Sequence, residues 1–449
     1  MGGVAQGEGD HQAVRTRSSF ALGFLALIAV GAALLACPFS RADGCAGNFG
    51  AAVFTACSAV CVTGLTVVDI ASEYSRVGQV VIMALVELGC LGLMTCGTFF
   101  LVAIGRRLSL SREFTLMNAY GVEQIQGLRG LICWIVGSML VIEAGFAAAL
   151  YAHFGSWYES VFYSIMSFCN AGFGLKPDSL ATFPRAWPVI VMGIETILGG
   201  IGFLVIYNLC TFKFLHRMSG ARGRLSLHTR VVLRFTFFLL ALAFLAFLAI
   251  EWNQALAGMV LHDKAVVAFY QAVTPRTCGF CMVPTESLHP LTRLVYECLM
   301  FIGGAPGSAA AGMKVTTLAV ILYTATAMCR GETETVIDRR TIPTEIVRES
   351  LVILMAIVMF AVIVTGALFV TEAGRGITPD ALFFEAVSAV TTTGLSIGST
   401  TAELSAAGRV VIMVAMFIGR LGALTVVLMI GDKESKKHVR FPVEELVVG

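Results

Sequence analysis

The chain has 449 residues, of which 57% are hydrophobic and only 13% charged, with a mean hydropathy of +0.84. Soluble globular domains carry about 25% charged residues, so a water-soluble fold, whether enzyme or nucleic-acid-binding module, is excluded as the frame and the bilayer is the solvent. The net charge of +2 says little, but its distribution does.

Long, almost uncharged runs follow one another along the chain: Phe20–Ala36, Val77–Ile104, Leu128–Leu150, Val189–Phe214, Val231–Ile250, Leu351–Val370 and Val410–Ile430. A spanning helix needs about 20 such residues. Arg15 and Arg17 ahead of the first run invite comparison with a cleaved leader, but the residues after it fit the repeat below, so it reads as a span. Basic residues gather between alternate runs: Arg106, Arg107 and Arg112; Lys213, Arg217, Arg222 and Arg224; Arg330, Arg339, Arg340 and Arg348; Lys433, Lys436 and Lys437. The Lys/Arg-rich side is cytoplasmic. Both termini are therefore expected in the cytoplasm of a multi-pass cell-membrane protein, which requires an even number of spans.

Between the runs, four short segments look alike. They are Ser58-Ala-Val-Cys-Val-Thr-Gly-Leu65, Ser167-Phe-Cys-Asn-Ala-Gly-Phe173, Ala272-Val-Thr-Pro-Arg-Thr-Cys-Gly-Phe280 and Ser388-Ala-Val-Thr-Thr-Thr-Gly-Leu395. Their glycines, Gly64, Gly172, Gly279 and Gly394, lie 108, 107 and 115 residues apart. Each follows an amphipathic stretch too short to span: Asn48–Cys61, Trp157–Cys169, Ala265–Thr274 and Pro379–Val390. Every unit reads as helix, half-helix, polar loop, helix, and four units give eight spans. The expected fold class is an all-α integral membrane protein with four such pseudo-repeats around a central ion pore. Residues 18–105, 128–217, 229–330 and 345–431 form the repeats, between cytoplasmic tails 1–17 and 432–449.

Irregular backbone at membrane depth is tolerated only inside protein or beside a water-filled cavity. Glycine lets such backbone turn its carbonyls toward one axis, and four loops can then replace the water of a monovalent cation with carbonyl oxygens. Val62, Thr63 and Gly64, Asn170, Ala171 and Gly172, Thr277, Cys278 and Gly279, and Thr392, Thr393 and Gly394 are the expected ion-binding residues. Asn170 either offers its side-chain oxygen to the pore or ties its loop; Asp69 either attracts cations at the outer mouth or caps a turn. In the third repeat Gly303, Gly304, Pro306, Gly307 and Gly312 break the last helix, and Lys314 follows. Arg420 lies mid-way along the last apolar run, where a charge costs about 2.5–3.5 kcal/mol; it faces a wet cavity or is tied to the carbonyls of loop 303–313.

No Walker or G-x-G-x-x-G pattern appears in strand–helix context. The seven histidines fall in tails and loops without paired ligands, so neither an enzyme nor a metal site beyond K⁺ in the loops is expected. Of the thirteen cysteines only Cys278 and Cys281 stand at CxxC spacing, across a loop glycine, and none has a metal-type spacing with histidine; Cys37 and Cys45 flank one predicted external loop and are candidates for pairing.

Ala59-Val-Cys-Val-Thr-Gly-Leu-Thr-Val-Val-Asp69, Phe168-Cys-Asn-Ala-Gly-Phe173, Thr274-Pro-Arg-Thr-Cys-Gly-Phe280 and Thr391-Thr-Thr-Gly-Leu-Ser396 resemble the four filter loops of the Trk/Ktr/HKT superfamily of K⁺ transporters. Gly303-Gly-Ala-Pro-Gly-Ser-Ala-Ala-Ala-Gly-Met-Lys-Val-Thr-Thr317 resembles its intramembrane loop and Gly419-Arg-Leu-Gly422 its last-helix motif. Arg440-Phe-Pro-Val-Glu-Glu-Leu-Val-Val-Gly449 resembles the C-terminus of the KtrB-type membrane subunit. Pro275, Pro306 and the run Ala309–Ala311 depart from the family's usual residues. The resemblance implies K⁺ uptake, often Na⁺-stimulated, through a homodimer in membrane lipid. It further implies a cytosolic KtrA-type ring that binds the nucleotides, none being expected on this chain, and it implies no nucleic acid. Loop 303–313 then becomes a gate, with Arg420 pointing into the pore below the filter and Arg276 bracing the third loop. A Na⁺-selective pathway, a K⁺/Na⁺ symporter and the pore subunit of a K⁺ pump stay open as alternatives.

Overall fold

In the computed structural model, residues 21–45, 48–92, 128–176, 179–180, 186–219 and 225–422 are described. Both expected tails, and the stretch that closes the first repeat, lie outside them. The principal helices are α1 (Ala21–Ala36), α2 (Phe49–Val60), α3 (Arg76–Leu91), α4 (Leu128–Phe154), α5 (Trp157–Phe168), α6 (Ala186–Ile201) and α7 (Phe203–Ser219). They continue with α8 (Leu227–Glu251), α9 (Leu261–Val273), α10 (Pro290–Phe301), α11 (Val315–Cys329), α12 (Thr344–Thr371), α13 (Pro379–Val390) and α14 (Ala406–Leu421).

The succession long helix, short helix, loop, helix occurs four times in this order. The short members α2, α5, α9 and α13 are 12, 12, 13 and 12 residues long. At 1.5 Å per residue each is about 18–20 Å, too short to cross a bilayer. Their starts are written locally. The Asn48 side chain accepts from the Gly50 N–H at 2.9 Å, and Thr378 caps α13, with Pro379 at the first helical position. The third begins at Leu261, four residues before the expected Ala265, because Asp263 in its first turn suits the helix N-terminus although it breaks the apolar pattern.

Among the described residues three helices are long and apolar enough to cross a membrane, Ile132–Phe154, Leu227–Glu251 and Thr344–Thr371. A fourth candidate is the pair Trp187–Ile201 and Phe203–Thr211, bent by 94°. The physical reason that eight uninterrupted spans are not seen lies in the helix after each loop. It breaks at Gly202 (φ 95°) and across residues 302–314, and in the first and fourth repeats the described helix ends at Gly92 (φ 75°) and Gly422 (φ 88°). The outer faces of α8 and α12 expose Phe237, Leu245, Met355, Val362 and Ile363, an apolar surface suited to lipid and not to water.

A hairpin that no periodicity announced joins α11 to α12. Val336–Ile337 pairs antiparallel with Arg340–Thr341 through a turn with φ of 49° at Asp338 and 62° at Arg339. Asp338 is held by Arg230 at 2.9 Å and Arg234 at 3.1 Å, both from α8. The core sits around the short helices, where Phe54, Phe168, Phe280 and Phe384 are fully buried. Cys37 and Cys45 are both free, and the Cys37 thiol donates to the Ala33 carbonyl at 3.2 Å.

Candidate functional site

Three of the short helices end in the same motif. The N–H groups of Thr63, Ala171 and Thr393 reach back to the carbonyls of Ser58, Met166 and Ser388 at 2.8, 2.9 and 2.8 Å. Those of Val62, Asn170 and Thr392 bond Ala59, Ser167 and Ala389 at 3.1, 3.2 and 3.2 Å. This pair of bonds is the Schellman arrangement, whose turning residue is left-handed and usually glycine. Here the turning residues are Val62 (φ 55°), Asn170 (φ 58°) and Thr392 (φ 51°). β-Branched residues are costly in that region, by roughly 1–3 kcal/mol. The third helix stops two residues short of its counterparts and reaches the same turn at Thr277 (φ 67°), with the Cys278 N–H on the Thr274 carbonyl at 3.1 Å. The chain thus spends strain at one matched position, two residues before the glycine, in three loops, and in the second places there Asn170, which tolerates the left-handed region.

The glycines follow with φ of 91°, 68°, 82° and 86° at Gly64, Gly172, Gly279 and Gly394. Each also abuts the next loop. A methyl group on Gly172 would lie 2.8 Å from the Cys278 carbonyl oxygen, and one on Gly279 would lie 2.9 Å from that of Thr393. A methyl on Gly64 would overlap the Ala171 oxygen, and one on Gly394 the Thr63 oxygen. The contacts run first loop to second, second to third, third to fourth and fourth back to first. Four glycines and the four carbonyls that precede them close a ring. Gly64 and Gly394 are further fixed by their N–H groups donating to the Ser58 and Ser388 hydroxyls, both at 3.1 Å. Asn170, its amide turned so that the nitrogen faces two carbonyls, donates to Ser167 at 3.0 Å and Thr196 at 3.2 Å. It ties the loop.

On one side the ring opens into a cavity of about 380 Å³ lined by all four glycines. Asp69 lines it and also caps the one-turn helix Ile70–Glu73, accepting from the Ala71 N–H at 3.3 Å. The capping reading of Asp69 is the one seen directly, and its place in the cavity lining leaves the other as a proposal. Ser396 and Thr401 face the same cavity and are hydrogen-bonded to Glu385, buried behind them.

The helix break 302–314 forms a compact loop. Its ends bond each other: the Gly303 N–H to the Met313 carbonyl at 2.9 Å, Met313 to Phe301 at 3.0 Å, and Val315 to Gly304 at 3.0 Å. Its middle pairs with the α6–α7 break, Ala305 on the Gly200 carbonyl at 2.9 Å, Ala309 on Gly199 at 3.2 Å, and Phe203 on the Gly307 carbonyl at 3.1 Å. A methyl group on Gly202 would lie 3.0 Å from the Pro306 carbonyl oxygen, and its φ of 95° disfavours any side chain. Gly312 is left-handed at φ 70°. Buried backbone is thereby satisfied, as membrane depth demands.

Three cations hold the loop. Lys314 donates to the Ala310 carbonyl at 2.8 Å, and Arg276, buried beside the third loop, donates to the Gly303 carbonyl at 3.2 Å. Arg420 donates to Ala309 at 2.6 Å, and its other terminal nitrogen to Gly89 at 2.8 Å and Cys90 at 3.3 Å. One guanidinium on α14 therefore bridges the loop of the third repeat to the end of α3 in the first.

Sequence reasoning singled out Gly419-Arg-Leu-Gly422 but missed two matching segments, Gly89-Cys-Leu-Gly92 and Gly199-Gly-Ile-Gly202. Their closing glycines lie 28, 30 and 28 residues after the loop glycine of the same repeat, a register that could have found them. Gly89, Gly199 and Gly419 press on the last residue of the short helix, so that a methyl group would overlap the carbonyl oxygens of Val60, Phe168 and Val390. Backbone cannot step aside as a side chain can, and overpacking costs about 1–3 kcal/mol. Gly89→Ala and Gly419→Ala are each expected to lower the thermal midpoint of the detergent-solubilised protein by several degrees and to cut folded yield. Size-exclusion chromatography after heating measures both.

Short helices that end at a ring of four loops, with long apolar helices around them and a broken helix packed against them, define a helical membrane protein. The family model for TrkH, described as cation transport protein, matches residues 37–440. The chain is 34% identical over 444 residues to the potassium/sodium uptake protein NtpJ of Enterococcus hirae, covering 96% of each. It is 34% identical over 447 residues to the Ktr system potassium uptake protein B of Bacillus subtilis, again covering 96% of each. The crystal structure of the potassium transporter TrkH from Vibrio parahaemolyticus has the same fold, with a TM-score of 0.75 over 92% of this chain and 85% of that one at 16% identity. This chain belongs to the TrkH family of cation transport proteins, a family of transporters and not of enzymes.

Proposed function

We propose that the chain is the pore-forming subunit of a Ktr-type system, passing K⁺ inward through the ring built by Gly64, Gly172, Gly279, Gly394 and the carbonyls before them. The observation that carries this reading is the closed succession of glycine–carbonyl contacts, loop to loop. Neutral carbonyls suit a large, weakly hydrated monovalent cation. Left-handed turns at Val62, Asn170, Thr277 and Thr392 hold them in place. The half-helices α2, α5, α9 and α13 direct the negative ends of their dipoles at the ring. Eight spans, broken as described, in four repeats around one axis complete the architecture, with both termini cytoplasmic.

Loop 303–313 is the gate on this reading, and Arg420, Lys314 and Arg276 hold it shut. It opens when a cytosolic nucleotide-binding ring, docked on a homodimer of this chain, moves the helices that carry these cations. Na⁺ stimulation or co-transport is a second reading, favoured by the similarity to the Enterococcus potassium/sodium uptake protein.

The test is Rb⁺ uptake and growth at low K⁺ in bacteria stripped of their own K⁺ uptake, with the chain expressed alone and with a KtrA-type subunit, each with and without Na⁺. Rescue that depends on the subunit supports the reading. Absence of uptake from well-inserted protein overturns it.

A further inference from the structure

Nine residues before each ring glycine the half-helix carries a fully buried polar side chain: Thr55, Tyr163, Tyr270 and Glu385. A polar group in an apolar helix is costly to bury unless it finds partners. In three repeats a partner lies in the loop of the same repeat. The Tyr163 hydroxyl accepts from the Leu175 N–H at 3.1 Å, three residues after Gly172. The Tyr270 hydroxyl lies 3.6 Å from the Cys278 thiol, one residue before Gly279. Glu385 reaches furthest along its loop. One carboxyl oxygen accepts from the Ser396 hydroxyl at 2.7 Å and the other from the Thr401 hydroxyl.

The fourth loop depends on that carboxyl. Beyond Gly394 the chain runs out to the one-turn helix Thr400–Glu403. Among the described residues, the backbone hydrogen bonds made by 395–399 are local, with Ile397 and Ser399 accepting from Thr400, Ala402 and Glu403. Leu395 packs in the apolar core, a contact that does not fix direction. The polar ties of this leg to its own half-helix are the two made by Glu385, at positions two and seven after the glycine. The same loop supplies the Thr393 carbonyl, which abuts Gly279 in the ring.

We propose that Glu385 is a positioning residue for ion selection: by holding Ser396 and Thr401 it fixes the leg of the fourth loop, and with it the place of the Thr393 carbonyl in the ring. The inference rests on the pore reading above and adds a specificity-determining residue to it. Carbonyls that stand in for the water of the larger ion must keep their separation. A loop released on its outer side closes onto the smaller ion as well, so loosening it costs discrimination before it costs throughput.

The experiment uses the full chain with its regulatory subunit in bacteria stripped of their own K⁺ uptake. It measures competition of K⁺ and Na⁺ against Rb⁺ uptake, and maximal Rb⁺ uptake per molecule at the surface. Glu385→Ala is expected to lower discrimination of K⁺ over Na⁺ about tenfold, somewhat less than one hydrogen bond to a charged group can contribute, with maximal uptake per molecule little changed. Glu385→Gln keeps two weaker bonds, one accepted and one donated, and lowers it about threefold. Ser396→Ala and Thr401→Val lower it about threefold each and about tenfold together, and neither adds to Glu385→Ala. The two hydroxyl variants carry the test where Glu385→Ala fails to fold. Unaltered discrimination in folded variants overturns the proposal. So does a fall in maximal uptake at an unaltered ratio, which marks a brace for folding alone. Glutamine as damaging as alanine, with K⁺ and Na⁺ weakened equally, means that Glu385 acts through its charge, and the proposal fails. A parent chain that takes up no Rb⁺ sinks the pore reading itself, which separates the two failures.

Discussion

Arg420→Ala raises Rb⁺ uptake about tenfold and makes it largely independent of the regulatory subunit. The guanidinium holds three carbonyls, Ala309 of the broken-helix loop and Gly89 and Cys90 of α3. Hydrogen bonds to a charged group contribute about 1.5–3 kcal/mol each. Half of one such bond, applied to the equilibrium between closed and open loop, is already close to the 1.4 kcal/mol that equals a factor of ten. On the proposed reading the substitution also removes a positive charge from below the ring, which acts in the same direction. Arg420→Lys separates the two effects. It keeps the charge but cannot fork between Ala309 and Gly89, so uptake rises less than with alanine. Flux through Arg420→Ala equal to the parent, at equal surface expression, refutes the gate assignment and leaves the arginine as a structural clamp.

Gly64→Ser lowers discrimination of K⁺ over Na⁺ by about tenfold. At φ 91° any side chain costs about 1–2 kcal/mol, and its β-carbon would overlap the Ala171 carbonyl oxygen. That oxygen belongs to the ring, so on the proposed reading relief of the clash displaces an ion ligand and not an idle group. With that carbonyl displaced and a weaker hydroxyl dipole beside it, the ring no longer replaces the water of the larger ion selectively, and discrimination falls. Competition of Na⁺ and K⁺ against Rb⁺ uptake measures the ratio. An unaltered ratio in a folded variant removes Gly64 from the ion path.

Much of this was legible in the residues, for a physical reason. A loop that turns carbonyls inward at membrane depth needs glycine at one position, a half-helix before it and small or polar residues between. Four copies at near-constant spacing carry that requirement openly. The partners of Arg420 were half legible: a central arginine demands acceptors, and the loop at Gly303 to Gly312 was the obvious source. That two of the three acceptors come from Gly89 and Cys90 was not, because contacts across 330 residues leave no mark in local pattern. Gly89 and Gly199 were invisible for another reason. A glycine that admits a neighbouring backbone looks, in an apolar run, like any other of the 46 in the chain. The hairpin at Val336–Thr341 was missed because its turn uses Asp338 and Arg339 at positive φ, where Asn-Gly or Asp-Gly is the usual signal.

On the proposed reading, in which loop 303–313 plugs the pore, the single bridge made by Arg420 also bears on why one chain supplies all four repeats. A ring assembled from four identical one-repeat subunits would repeat every feature fourfold. Its counterpart of Arg420 would place four guanidinium groups under one narrow ring, mutually repelling and with too few free carbonyls to hold them. Its counterpart of loop 303–313 would put four plugs where one fits. In this chain the positions matching Arg420 in the first two repeats are Cys90 and Gly200, and both now serve as acceptors, Cys90 to Arg420 and Gly200 to Ala305. Duplication followed by divergence within one polypeptide permits a division of labour that strict rotational symmetry forbids. One copy supplies the arm, another the plug, and the remaining two the sockets.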